Sequence, residues 1–118
     1  MTKPKSKAPG PLCFVDGDGG AFAALAAGIA RAHGRDGALA ATTAKKVAFP
    51  AEIGAVLAEI GASLPEVTLA SASVATTRRV DVGDWGTPLH VGDGDLERLA
   101  VARIARDRIE RHLESETL

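Results

Sequence analysis

At 118 residues the chain has the length of one domain, enough to bury an apolar core without metal or disulfide support. Its 14 basic and 15 acidic residues leave a formal charge of −1, so no bulk attraction to nucleic acid is expected. The single cysteine excludes a disulfide framework, and the lack of a long apolar run or a signal-peptide pattern makes a membrane role unexpected and the cytoplasm the expected location.

Apolar residues make up 46% of the chain but aromatics only 3%, so the core must come from close backbone approach and aliphatic contacts. Residues 1–10, MTKPKSKAPG, scatter Lys3, Lys5 and Lys7 among prolines with almost no apolar side chain, and read as a flexible tail before a single α/β domain over 11–118. Leu12-Cys13-Phe14-Val15 is a short continuous apolar run, the pattern of a strand buried on both faces, and Cys13 within it reads as a small core residue. An Ala-rich helix follows from about Gly20 to His33 and stops at Gly34, which suits a left-handed C-terminal position. Ala38 to Thr43 is a strand candidate. Phe49-Pro50-Ala51-Glu52 opens a second helix with Ile53, Val56, Leu57 and Ile60 as its buried stripe and Gly61 as its stop. Val67 to Ala70 and Val80 to Val82 read as two more strands, the second near an edge. Asp95 is placed to cap a last helix in which Val101, Ala105, Ile109 and Leu113 recur every fourth residue, with Ile104 alongside. Arg103, Arg106, Asp107, Glu110 and Arg111 are expected to face water. Strands alternating with helices imply a three-layer α/β fold: a short parallel sheet of about four strands with helices on both faces.

Chemistry concentrates in LCFVDGDGGAFA, where the first strand runs through Asp16, Gly17, Asp18, Gly19 and Gly20 into Ala21, Phe22 and Ala23. A strand, a glycine-rich loop and a helix usually cradle an anion, because the first N–H groups of the helix lack internal partners. This loop carries two acids and no base. The expected outcome is a loop that binds itself, with Asp16 or Asp18 accepting the free N–H groups.

Phe14-Val15, the loop and Ala26-Ala27-Gly28-Ile29-Ala30-Arg31 together resemble the opening of the low-molecular-weight protein tyrosine phosphatases and the related thioredoxin-coupled arsenate reductases. Phe49-Pro50-Ala51-Glu52-Ile53 through Ala58-Glu59-Ile60-Gly61 is similar to that family's second helix. Trp85-Gly86-Thr87-Pro88, Leu96-Glu97-Arg98-Leu99-Ala100 and Arg106-Asp107-Arg108-Ile109-Glu110 look like the late loop and final helix of its arsenate-reductase branch. In this frame the family's nucleophilic Cys falls on Asp16, its phosphate-gripping Arg on Phe22, its loop Ser on Ala23 and its general acid on Leu89. None of those side chains can do the family's work, since Phe22 has neither charge nor fork for an oxyanion and a shift of register to Cys13 meets Gly19 where Arg is needed. The resemblance therefore implies a catalytically inactive relative, a protein-binding or regulatory module that meets another protein or a second copy of itself, with no cofactor and no metal.

A second resemblance competes. Phe14-Val15-Asp16-Gly17-Asp18-Gly19 is also similar to the opening of Mg-dependent haloacid-dehalogenase-type phosphatases, with Asp16 as nucleophile, Asp18 as acid/base, Ser71 after a strand and Val91-Gly92-Asp93-Gly94-Asp95 as the later acidic motif. Gly20 stands where that family has Thr or Val, and no Lys follows Lys46. His90 with Asp93 and Asp95 reads as a turn and cap rather than a metal site. Trp85, the only Trp, either fills the space of a former substrate or anchors a partner.

Overall fold

The computed structural model describes residues 12–17, 19–35, 37–69, 78–83, 85 and 95–115. The expected tail, Asp18, Ser71, Leu89, His90, Asp93 and the capping side chain of Asp95 lie outside the described residues.

Four strands form one wholly parallel sheet: β1 Leu12–Asp16, β2 Leu39–Thr42, β3 Val67–Leu69 and β4 Arg78–Asp81, in the order β3-β2-β1-β4. Three helices accompany them: α1 Ala21–Ala32, α2 Glu52–Ala58 and α3 Asp95–Ser115. This is the expected α/β class, a short parallel sheet layered with helices, and the three described helices share one of its faces. The chain winds outward from β1 through β2 to β3 and then reverses, so that β4 lands on the other side of β1. Such a reversal opens a crevice at the carboxyl ends of the two flanking strands, here β1 and β4.

Every residue of β1 is buried, as its unbroken apolar run implies. One face of the sheet carries Phe14, Ala40 and partly buried Val67 and Val80 under α1, α2 and α3, which pack against one another. The opposite face buries Cys13, Val15 and Ala41. Small side chains let the layers approach closely: α1 buries ten consecutive residues from Ala21 to Ala30, six of them Ala. Gly28 lies so near α2 that an added Cβ would sit 2.9 Å from Leu57 Cδ2.

Helix ends follow the expected chemistry in part. Gly34 and Gly61 take positive φ just past α1 and α2, at 100° and 76°. The second helix begins at Glu52 rather than at Pro50, whose carbonyl instead accepts the Ile53 N–H in a tighter first turn. Ile60 falls beyond the last turn of α2 and is only partly buried.

The α3 stripe is rotated from the expected one. Ala102, Ala105 and Ile109 are fully buried with Leu99 and Leu113 at the margin, whereas Ile104 is 51% exposed. Adjacent helical residues point about 100° apart, and Ile104 follows the wrong side of Ala105 for this core. Arg106, expected in water, has a side chain only 12% exposed. It reaches across to α2, donating to the Val56 carbonyl at 3.0 Å and to Glu59 Oε1 at 2.7 Å, and so supplies a partner for an otherwise unpaired carbonyl in the last turn of that helix. Arg103 grips the same carboxylate, and its hydrogen bond, the largest cause, lowers the Glu59 pKa to about 2.

Candidate functional site

The β1–α1 loop begins where Asp16 closes β1 and the chain leaves the sheet at Gly17. Gly19 and Gly20 turn it into α1 with φ of 98° and 108°. Neither tolerates a side chain, since a Cβ on Gly19 would overlap the Ala48 carbonyl and one on Gly20 would lie 2.6 Å from Val67 Cγ1. The loop is therefore pressed between its neighbours on two sides.

Gly20 occupies the N-cap position and has no side chain to cap with. Asp16, four residues earlier, does it instead: Oδ1 accepts the Gly20 N–H at 2.9 Å and Oδ2 accepts the Ala23 N–H at 3.0 Å. Asp16 is only 3% exposed, so its carboxylate lies inside the cradle with both oxygens on main-chain donors. A negative group there also meets the positive end of the α1 dipole. This is the self-binding expected from the sequence, seen here for Asp16.

Thr42 completes the loop, and the sequence offered no direct sign of it beyond a polar residue at the end of a strand. Fully buried, its hydroxyl donates to the Asp16 carbonyl at 3.2 Å and accepts the N–H groups of Gly19 at 3.1 Å and Ala44 at 3.2 Å. The Thr43 N–H donates to the same carbonyl at 2.8 Å, and the Ala48 N–H to the Gly19 carbonyl at 2.9 Å. The segment after β2 thus fastens the loop at both ends.

The positions on which the resemblance would put a phosphatase's chemistry hold other groups. Phe22 points into the apolar core at 6% exposure, and Ala21 and Ala23 are buried with it. No cationic side chain enters the cradle at the Phe22 position, which removes the fork that would hold a phosphate or arsenate. Both Asp16 oxygens accept from the helix start, so the carboxylate is held in place by the loop itself.

Beside the loop, in the crevice between β1 and β4, a shallow depression of about 190 Å³ is lined by Val15, Asp16, Gly17, Thr43, Arg79, Asp81 and Gly83. Arg79 Nε donates to Asp81 Oδ1 at 3.0 Å, so the cation nearest the crevice is paired within its own strand. Sheets of order 3-2-1-4 are those of dinucleotide-binding folds, but the fingerprint for that ligand is broken. Phe22 stands where the third glycine would be, and β2 ends in Thr42-Thr43 rather than in an acid for a ribose.

Trp85 is partly buried. It meets Phe14 edge-on, with ring centroids 6.5 Å apart, and stacks on His112 of α3 at 5.0 Å and 12°. Beyond it, His33 Nε2 at the end of α1 lies 3.3 Å from Glu110 Oε2. Among the described residues no three His, Cys, Asp or Glu side chains are grouped so as to hold a metal ion, and no helix is long and apolar enough to cross a membrane. The chain matches no family model and no curated protein.

Proposed function

We propose that the protein is a catalytically inactive relative of the low-molecular-weight tyrosine phosphatases and thioredoxin-coupled arsenate reductases, a cytoplasmic module that acts by binding another protein or a second copy of itself. The observation that carries this reading is the Asp16 carboxylate seated on the Gly20 and Ala23 N–H groups, where that family seats an oxyanion. Phe22 in the core supports it, because the loop lacks the cation that phosphoryl or arsenyl transfer needs. The remnant loop keeps its shape without a ligand, and no cofactor is required.

The test is turnover by the purified chain on para-nitrophenyl phosphate, and arsenate reduction with thioredoxin, each with and without Mg²⁺. Rates should equal the buffer blank. Turnover that disappears in Asp16→Ala would overturn the reading, and if it also required Mg²⁺ it would establish the haloacid-dehalogenase-type alternative through Asp16 and Asp18. Restoring the family's groups together, in the Asp16→Cys, Phe22→Arg, Ala23→Ser, Leu89→Asp variant, is the matching gain-of-function experiment, since groups that act as a unit are strongly non-additive.

A further inference from the structure

Ile104, Arg108, Arg111, His112 and Ser115 recur at the spacing that places side chains on one face of a helix, and they line a concavity of about 610 Å³ on α3. This face points away from Ala102, Ala105 and Ile109, which hold the helix to the core. Ile104 is the most exposed large apolar side chain among the described residues, at 51%. Its neighbours on this face include two arginines whose guanidinium groups enter no ion pair among the described residues. Elsewhere on the helix Arg103 and Arg106 share Glu59, Asp107 pairs with Arg106, and Glu110 lies against His33. Arg108 and Arg111 are exposed and make no ion pair among the described residues. An apolar side chain at one end of a groove, with two guanidinium groups along it that make no ion pair among the described residues, suits a partner of opposite charge that brings its own aliphatic anchor.

We propose that this face of α3 docks an acidic amphipathic segment of a partner protein, whose carboxylates meet Arg108 and Arg111 while an aliphatic side chain covers Ile104. The inference rests on the binding role proposed above and names the class of partner. Arg, with its planar fork, holds a carboxylate by two parallel hydrogen bonds, which gives register as well as attraction. His112 links the groove to Trp85 through their stacked rings, so the chain's only Trp reports on occupancy.

The experiment titrates the full chain with a synthetic amphipathic peptide of Glu and Leu, and with its Lys and Leu counterpart, following Trp85 fluorescence and binding heat. The acidic peptide should bind and weaken as salt is raised, and the basic one should not bind. Arg108→Glu with Arg111→Glu should raise Kd at least about tenfold, and Ile104→Asp by a similar factor. Because all three side chains are exposed, melting temperature and circular dichroism should stay as in the wild type. Equal binding of both peptides, no binding of the acidic one, or indifference to the charge reversal would overturn the proposal. A wild-type dimer in sedimentation that Ile104→Asp returns to monomer would also overturn it, since a second copy would then cover the face. Enzymatic turnover would sink the inactive-relative reading and leave these binding results as they stand.

Discussion

Removing the Asp16 carboxylate should be among the costliest single changes at the carboxyl end of the sheet. In Asp16→Ala the N–H groups of Gly20 and Ala23 lose their acceptors in a place where Gly20 and Ala23 are buried. An unsatisfied buried donor costs about 1–3 kcal/mol, and loss of a partly buried charge at a helix N-terminus adds up to about 2 kcal/mol. For the two donors together the sum is about 2–8 kcal/mol, and the lower half is expected because water can enter the space that the carboxylate leaves. That is a large part of the roughly 5–15 kcal/mol that holds a domain folded. Urea unfolding followed by circular dichroism measures it as a fall in midpoint at constant slope. Phosphate provides the second arm, since an anion can seat only on donors that Asp16 has vacated. With a Kd of about 1 mM, 20 mM phosphate would return about 1.8 kcal/mol to the variant and nothing to the wild type. A variant within about 1 kcal/mol of wild type, or a wild-type protein that phosphate stabilises, would refute the claim that Asp16 fills the cradle.

Glu59, whose pKa is lowered to about 2 chiefly by the Arg103 hydrogen bond, should add stability that is complete above its unfolded value near 4.5 and fades as pH falls from there toward 2; an acid-unfolding profile of Glu59→Gln should lack that limb, and an unchanged profile would show the cluster to be idle. Raising salt should shrink the same limb, because the cluster is partly exposed and screened. Ile109→Ala should cost about 2–5 kcal/mol and Ile104→Ala less than about 0.5 kcal/mol, a contrast that urea midpoints resolve and that equal losses would contradict. Gly19→Ala should destabilise by more than about 2 kcal/mol, since its positive φ and the Ala48 carbonyl both oppose a Cβ; a neutral substitution in thermal melts would mean the loop is not pressed against that segment.

Elements whose formation depends on nearby residues were legible in the sequence. The unbroken run Leu12–Val15, the Ala-rich first helix with its Gly34 stop, and the β-branched run at Val67 each declare their state within a few residues. The capping acid was legible for the same reason, because Asp16 reaches a helix start only four residues away. Features that depend on distant partners were not. Thr42 joins the loop across 23 to 26 residues, and Arg106 is drawn out of water by Val56 and Glu59 on another helix, about 50 residues away. Periodicity likewise located the α3 stripe without fixing its angle. A 21-residue helix outruns the core it covers, so an apolar residue such as Ile104 can keep the spacing and still face solvent.

Asp16 and Phe22 explain each other. A loop that receives an oxyanion from outside needs empty N–H groups and a cation nearby, and it stays partly unsatisfied whenever the ligand is absent. With a carboxylate at Asp16 the anion is supplied within the chain, a cation at position 22 would have no outside anion to hold, and the side chain there joins the apolar core. The consequence is mechanical as well as chemical. Thr42, Thr43 and Ala48 fasten the described residues of the loop to the segment after β2, and neither Gly19 nor Gly20 leaves room for a side chain. An acid held on the helix start in this way offsets the unpaired N–H groups and the positive end of the helix at once.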